Sequence, residues 1–420
     1  MSGAAPTPLG AAPIGASASI TDDPDFLALP ASSAVVIIEA PGGRTILIAT
    51  TADARDLARK RLAPMDPAQP RSARVDYHAL ARGGTVHTIP VGSSLEADAV
   101  YMHQARARLP HLAQIVAERR RAWFVHVDPE AEFPYWSKTN LLGLIQPRGA
   151  SSPVASHSLS HPVLLGPLPD KDAAGRLIEV VIDAFDLCRF HNLLVQAPNA
   201  AACVYKEMGR CPAPCDGTEI MSDYRERTRE AVDALTSGTL ADRIAALEEK
   251  MREAAAAANF EQADKLKKLA ARLGALDKPA FAHLHQMSTW RELILLPSTA
   301  RGHIRSALFH AGSLVVLDDI DATDPKRAAA TVVSSLSLSA LCPAPLTLLS
   351  PDLVDTIGLY TKWLFTPRKK RSGVSIRLAP DSSPDSMMLV KAIKAVAYPK
   401  GATTDFDALE VESDPSTVSG

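Results

Sequence analysis

Four cysteines crowded into 28 residues, Cys188, Cys203, Cys211 and Cys215, constrain this chain more than any other feature. The start of the chain (MSGAAPTPLGAAPIGASASI) lacks the basic opening and long apolar run of an export signal. A shared metal therefore stands ahead of a disulfide framework. Cys211 and Cys215 enclose Pro-Ala-Pro, and prolines hold a backbone open and turn it back on itself. Met208-Gly209-Arg210 reads as a tight turn. Soft thiolates in a set of four suit zinc or an iron–sulfur cluster. Zinc sites commonly use two-residue knuckles, and none occurs here, which turns the reading toward iron–sulfur with zinc as the alternative. Buried thiols without metal are a third reading, ranked lower because such cysteines do not usually sit among prolines and glycine. Cys342, far away in an apolar helix end, reads as a buried thiol.

The 420 residues exceed one ordinary domain, and two to four compact units are expected. Ala34–Ala40 and Arg44–Thr50 are β-branched runs around Pro-Gly-Gly, a hairpin signal. Residues 52–62 and 94–109 read as helices, the second stopped by Pro110. A strand follows over AWFVHVDP. Residues 148–162 read as a linker. Residues 172–187 form an amphipathic helix with Leu177, Ile178, Val181, Ile182 and Phe185 on one side, and another helix spans 224–235. From Leu240 to Leu276 two apolar stripes at helical spacing flank Asn259, the pattern of a helical hairpin. Beyond Pro279 strands and helices alternate in a small α+β unit.

Charge is unevenly spread. The net charge is −2, so the whole chain announces no nucleic-acid partner. Residues 44–121 nevertheless carry thirteen Lys/Arg against seven Asp/Glu, whereas residues 403–420 hold five acids and no base. A DNA-facing front domain and an ordinary solvated surface explain this equally well. No run of eighteen apolar residues is present, so no membrane span is expected and a cytoplasmic protein is the reading.

The run CVYKEMGRCPAPCDG, followed by SDYRERTREAV, resembles the cysteine region of the UvrC family of excinuclease proteins. That family has C-x7-C-x3-C here, matched at Cys203, Gly209, Arg210, Cys211, Pro214 and Cys215. The resemblance implies a 4Fe-4S cluster on Cys188, Cys203, Cys211 and Cys215. Cys188 stands two residues earlier than the family's first ligand, where Phe190 lies. The hairpin resembles the family's UVR motif at Leu247, Glu248, Met251, Ala254, Phe260, Glu261, Ala263 and Leu266. This implies docking to UvrB, the helicase of the same excinuclease system, through Leu247, Met251, Phe260 and Leu266. The alternative is a hairpin packed on its own chain.

The front of the chain resembles the family's GIY-YIG nuclease in element order, ending in Phe133-Pro134-Tyr135-Trp136, and Leu165-Gly166-Pro167 resembles the family's Phe-Gly-Pro. Its catalytic residues are not carried over. The two tyrosine strands read Ala34-Val35-Val36 and Leu47-Ile48-Ala49, and the following lysine is Thr50. The place of the metal-binding glutamate falls on Tyr101, with Glu96 five residues before it. A phenol does not hold magnesium as a carboxylate does, so magnesium is not expected unless the nuclease site works. Lys60 or Arg61 stands for the catalytic arginine. Arg55, Arg59, Lys60, Arg61, Arg119, Arg120 and Arg121 are the candidate DNA contacts.

The expected fold class is therefore α+β. Residues 1–32 are a disordered leader, 33–147 a degenerate GIY-YIG-like α/β domain, and 163–238 a cysteine-rich helical region. A UVR-like hairpin follows over 239–277, then a C-terminal α+β domain over 280–402 and an acidic tail over 403–420. The family's RNase-H-like nuclease and helix-hairpin-helix end are not recognisable after the hairpin, and Arg368-Lys369-Lys370-Arg371 reads as an exposed basic loop. The implied function is non-catalytic DNA repair with damaged duplex DNA and UvrB as partners. An active structure-specific endonuclease and a docking module outside repair remain alternatives.

Overall fold

The computed structural model of the chain describes residues 7–21, 26–63, 75–142, 162–236, 240–310, 312–338, 350–378, 383–398 and 410–412. The linker over 148–162 (Pro162 apart), Cys342, and all of the acidic tail but residues 410–412 lie outside these described residues. Helices and strands are mixed, an α+β chain. It divides into two units, one of Met1–Arg121, Arg291–Pro343 and Asp352–Gly420, the other of Ala122–Trp290 and Ala344–Pro351.

The first unit begins with strands β1 (Thr7–Pro8), β2 (Ala16–Ser19), β3 (Ala34–Glu39) and β4 (Thr45–Thr51). Helices α1 (Ala54–Arg61) and α2 (Tyr77–Ala81), strand β5 (Thr85–Pro90), and helices α3 (Ser94–Arg108) and α4 (Pro110–Arg119) follow. The β3–β4 turn places Gly42 at φ +85° and Gly43 at φ +82°, a consecutive pair that side chains with a Cβ resist. Asp53 caps α1 by accepting from the Asp56 N–H at 2.9 Å, and Ser93 caps α3 from the Glu96 N–H at 3.2 Å. Pro110 ends one helix and opens the next, where its missing N–H costs nothing. β3 pairs antiparallel with both β4 and β5. Its Val36 and Ile38 pack with Ala54, Ala58 and Tyr77 on one face. Val35 and Ile37 pack with Ala97, Val100 and Ala113 on the other. A sheet covered on both faces explains why this strand reads as an unbroken apolar run.

The second unit holds a sheet of β6 (Trp123–Val127), β7 (Ser137–Thr139), β8 (Val163–Leu168) and β9 (His285–Gln286), in the order β7-β6-β8-β9. Between β8 and β9 run α5 (Lys171–Ala184), α6 (His191–Leu194), α7 (Val204–Glu207), α8 (Met221–Thr236), α9 (Leu240–Ala256) and α10 (Phe260–Gly274). Leu177 and Val181 of α5 meet Val125, Leu165, Tyr224, Val232 and Leu273 in one core. Asn259 caps α10 by accepting from the Gln262 N–H at 3.2 Å, which fixes the turn of the hairpin. Phe133-Pro134-Tyr135-Trp136 lies in this unit, so the front unit breaks off at Arg121 and not at residue 147.

The chain then returns to the first unit with β10 (Arg291–Pro297), β11 (His303–His310), β12 (Ser313–Asp321), α11 (Pro325–Leu338) and α12 (Pro351–Phe365). β13 (Val374–Arg377), α13 (Ser386–Ala397) and β14 (Glu410–Glu412) complete it. The two sheets of this unit run β1-β12-β11-β10-β13 and β14-β4-β3-β5-β2. Residues 280–402 are thus not a separate domain: Arg291–Pro343 and the residues from Asp352 onward belong to the unit that the front of the chain begins.

The expected disordered leader over 1–32 is corrected at its described residues, 7–21 and 26–32. β1 pairs with β12, β2 pairs with β5, and Leu9, Ile20, Phe26 and Leu29 are buried. Short segments of Ala, Pro and Ser carry little pattern of their own, and here partner strands elsewhere in the chain supply the order. Residues 410–412 of the expected acidic tail likewise form an edge strand on β4.

Candidate metal centre and candidate surfaces

The centre starts where α5 stops. Asp186, at φ +49°, turns the chain out of the helix and delivers Cys188 into the interior. The Cys188 N–H donates to the Tyr224 hydroxyl at 3.4 Å, and that hydroxyl donates to the Pro134 carbonyl at 3.2 Å. The Tyr135 hydroxyl donates to the Arg189 carbonyl at 3.2 Å. The Phe-Pro-Tyr-Trp segment therefore braces the first cysteine.

Asp183 draws the next loop in. Its Oδ1 accepts from Arg189, next to Cys188, and from Arg210, next to Cys211, the latter at 2.8 Å. Cys203 starts α7. Gly209 at φ +64° reverses the chain, with its N–H donating to the Lys206 carbonyl at 2.9 Å, and Cys211 follows. Ala213 at φ +62° and a 3₁₀ turn over Pro214–Asp216 bring Cys215 back. Its carbonyl accepts the Ala200 N–H at 3.0 Å. Gly217 closes the turn at φ +79°, where a Cβ would stand 3.0 Å from Pro198 Cβ.

Cys188, Cys211 and Cys215 are buried and Cys203 is half-buried. Cys188 and Cys211 share a hydrogen bond that pushes the Cys188 thiol up and lowers Cys211 to about 7. The Ala213 peptide and the Arg227 guanidinium add to the lowering of Cys211. Burial, then the charges of Cys203 and Cys211, raise Cys215. Cys211 and Cys215 both act on Cys188, and Cys203 acts on Cys215. Among the described residues no three His, Cys, Asp or Glu side chains stand close enough to enclose a bare ion. Lys206 donates to Asp216 at 2.5 Å and, with Thr218, lowers that carboxyl to about 2. The donor chemistry, four soft thiols with cations beside them, fits a thiolate-bound metal group.

The nuclease candidates do not converge. Lys60 pairs with Asp56 at 2.7 Å, and the Arg61 guanidinium lies 5.8 Å from the Tyr77 ring centre, both on α1. Glu96 and Tyr101 lie on α3, which packs on the opposite face of the β3 sheet. Glu96 is fully buried, accepts the Gly92 N–H at 2.9 Å and pairs with Arg305. Burial raises its pKa. Tyr101 is core.

Most candidate DNA contacts have work inside the fold. Arg55 donates to the carbonyls of Leu29 at 2.9 Å and Leu27 at 3.1 Å. Arg120 pairs with Asp98 at 3.1 Å, Arg121 with Glu118 at 3.8 Å, and Arg59 is also engaged. Arg119 is exposed. On the hairpin, Leu247, Met251 and Leu266 are half-buried and Phe260 is 71% exposed. Leu247 packs on the unit's core, whereas Met251 and Phe260 lie toward the hairpin tip.

The sequence reading did not single out Asp183, Tyr224, Arg189 or Tyr205. Only Arg189 carried a signal, standing beside Cys188.

Residues 146–234 match a family described as UvrC/Cho excinuclease, middle domain. Over this part the chain is similar to the UvrC family. A UvrABC system protein C from Deinococcus radiodurans is 36% identical over 102 residues, 24% of this chain and 16% of that protein. One from Desulforudis audaxviator is 25% identical over 323 residues, covering 72% of this chain and 48% of that protein. One from Gloeobacter violaceus is 24% identical over 245 residues, covering 57% and 35%. The aligned parts thus span less than half of each of these UvrC relatives. No solved structure matches the chain. Among the described residues no helix is long and apolar enough to cross a membrane.

Proposed function

We propose that this chain is a cytoplasmic UvrC-type accessory protein of nucleotide-excision DNA repair that contacts damaged duplex DNA without cutting it. The four cysteines within 28 residues, three of them buried, ahead of the helical hairpin of α9 and α10 support the reading. Cys188, Cys203, Cys211 and Cys215 would hold a 4Fe-4S cluster, with zinc as the alternative. A bound cluster would tie four loop positions together and supply a redox-active centre. Asp183 sets the spacing of the loops through Arg189 and Arg210, and Tyr224 fixes the Cys188 backbone. The hairpin offers Leu247, Met251, Phe260 and Leu266 to UvrB; two short helices with one apolar stripe each gain by adding partner helices. The separation of Lys60 and Arg61 from Glu96 and Tyr101 supports the absence of nuclease chemistry.

Anaerobic purification with iron, sulfide and zinc analysis of wild type and Cys211→Ser tests the centre. Iron and sulfide in the wild type, lost in the variant, are expected; a colourless protein holding none of the three would remove the claim. Retention of UvrB on immobilised protein tests the docking. Nicked and damaged duplexes incubated with magnesium or manganese should stay intact. Cleavage that disappears in Glu96→Gln would overturn the non-catalytic reading.

A further inference from the structure

We infer that the loop joining α12 to β13 is a contact for the phosphate backbone of duplex DNA, made by Arg368 and Lys369. The inference rests on the repair reading above and says where on the chain its DNA contact lies.

Residues 356–380 hold Lys362, Arg368, Lys369, Lys370, Arg371 and Arg377 and no Asp or Glu. Arg368, Lys369 and Lys370 are exposed. Lys370 is engaged, whereas among the described residues no carboxylate pairs with Arg368 or Lys369. The loop behind them is fixed. The Lys370 and Arg371 N–H groups both donate to the Pro367 carbonyl, at 2.8 and 3.1 Å. Arg371 donates to the Leu364 carbonyl at 2.9 Å, and its guanidinium lies 4.7 Å from the centre of the Trp363 ring. The Trp363 ring N–H donates to the Ser372 carbonyl at 3.2 Å, and the Ser372 hydroxyl accepts the Ser94 N–H at 3.4 Å. A loop held in this way presents its cations with little further loss of conformational freedom.

The acids of the neighbouring elements do not cancel this charge. Glu292 on β10, beside β13, is 2% exposed and accepts the Tyr360 hydroxyl at 2.6 Å. One strand further, Arg305 on β11 takes up Glu96 and Asp319. Arg305, Arg368, Lys369, Lys370 and Arg371, set against Glu96, Glu292 and Asp319, leave an excess of positive charge among the described residues. Asp352 and Asp355 pair with Arg106 at the opposite end of α12. About 15 Å of helix separates Asp355 from Phe365, beyond the screening length of about 8 Å. The loop also lacks what other anionic partners require. Among the described residues from 350 to 378 no large apolar side chain is exposed. A membrane surface is gripped by apolar side chains as well as cations, and a single strand by exposed rings. Charge without either fits a duplex, whose phosphates are contacted without reading its sequence.

Fluorescence anisotropy of the full chain with a labelled duplex of about 20 base pairs, repeated at several salt concentrations, decides the matter. Each phosphate contact contributes about 0.9 to the slope of log affinity against log salt, so Arg368→Gln with Lys369→Gln should flatten the wild-type slope by about 2. Duplex affinity at about 50 mM salt should fall by about tenfold or more. Arg368→Lys with Lys369→Arg should keep the wild-type slope, because the slope counts charges and not packing. Failure of the repair reading would show as a wild type that retains no UvrB. Failure of this inference would show as no duplex binding by wild type, or as an unchanged slope in the glutamine variant. Wild-type binding to phosphatidylserine vesicles that the glutamine variant loses, with its duplex slope intact, would also overturn it, marking the loop as a membrane contact.

Discussion

Arg210 donates to the Asp183 carboxylate at 2.8 Å, and the same oxygen accepts from Arg189. One carboxylate at the end of α5 thus ties the loop carrying Cys188 to the loop carrying Cys211. Asp183→Ala removes both tethers and leaves two part-buried guanidiniums without their anion. We expect a loss of about 2–3 kcal/mol in unfolding free energy, read by urea denaturation, with lower metal retention. Unchanged stability and metal content would show that the cysteine loops hold themselves.

The hairpin separates stability from docking. Leu273, 1% exposed at the base of α10, packs in the core of the second unit. Leu273→Ala should cost about 2–5 kcal/mol in thermal or chemical unfolding. Phe260→Ser, at a position 71% exposed, should change stability by no more than about 0.5 kcal/mol. It should nevertheless abolish retention of UvrB. Equal retention by Phe260→Ser and wild type would place the docking surface elsewhere.

Glu96 gives a pH dependence of definite sign. Burial raises its folded pKa above the ordinary 4.5, with Arg305 opposing the shift. The folded state then binds the proton more tightly than the unfolded state does. This contribution favours folding at low pH and is lost as pH rises from 4.5 through the raised value. Glu96→Gln should flatten that part of the curve in denaturation followed from pH 4 to 7 (about the range bracketing the shift). A variant curve parallel to that of wild type would refute the assignment.

Where local rules decide structure, the residues disclosed it. The Gly42–Gly43 turn, the Asp53, Ser93 and Asn259 caps and the Leu177–Val181 stripe act within a few residues, and each expected element formed around them. The crowding of the cysteines was likewise visible in their spacing. What depended on distant partners was not visible. Thr7–Pro8 has no strand pattern and becomes a strand on β12. Arg55 and Arg120 read as free cations and are taken up by Leu29, Leu27 and Asp98. The Phe-Pro-Tyr-Trp segment read as the close of the front domain, yet its Pro134 carbonyl and Tyr135 hydroxyl brace the cysteine loop.

The pairing of Thr7 with Val316 has a consequence for biosynthesis. A ribosome must deliver more than three hundred further residues before the first strand finds its neighbour, so the opening segment waits while the intervening cysteine module is made. A nascent chain released after Trp290 would carry the complete module but leave β1 unpaired, an open ladder of backbone donors and acceptors available to other chains.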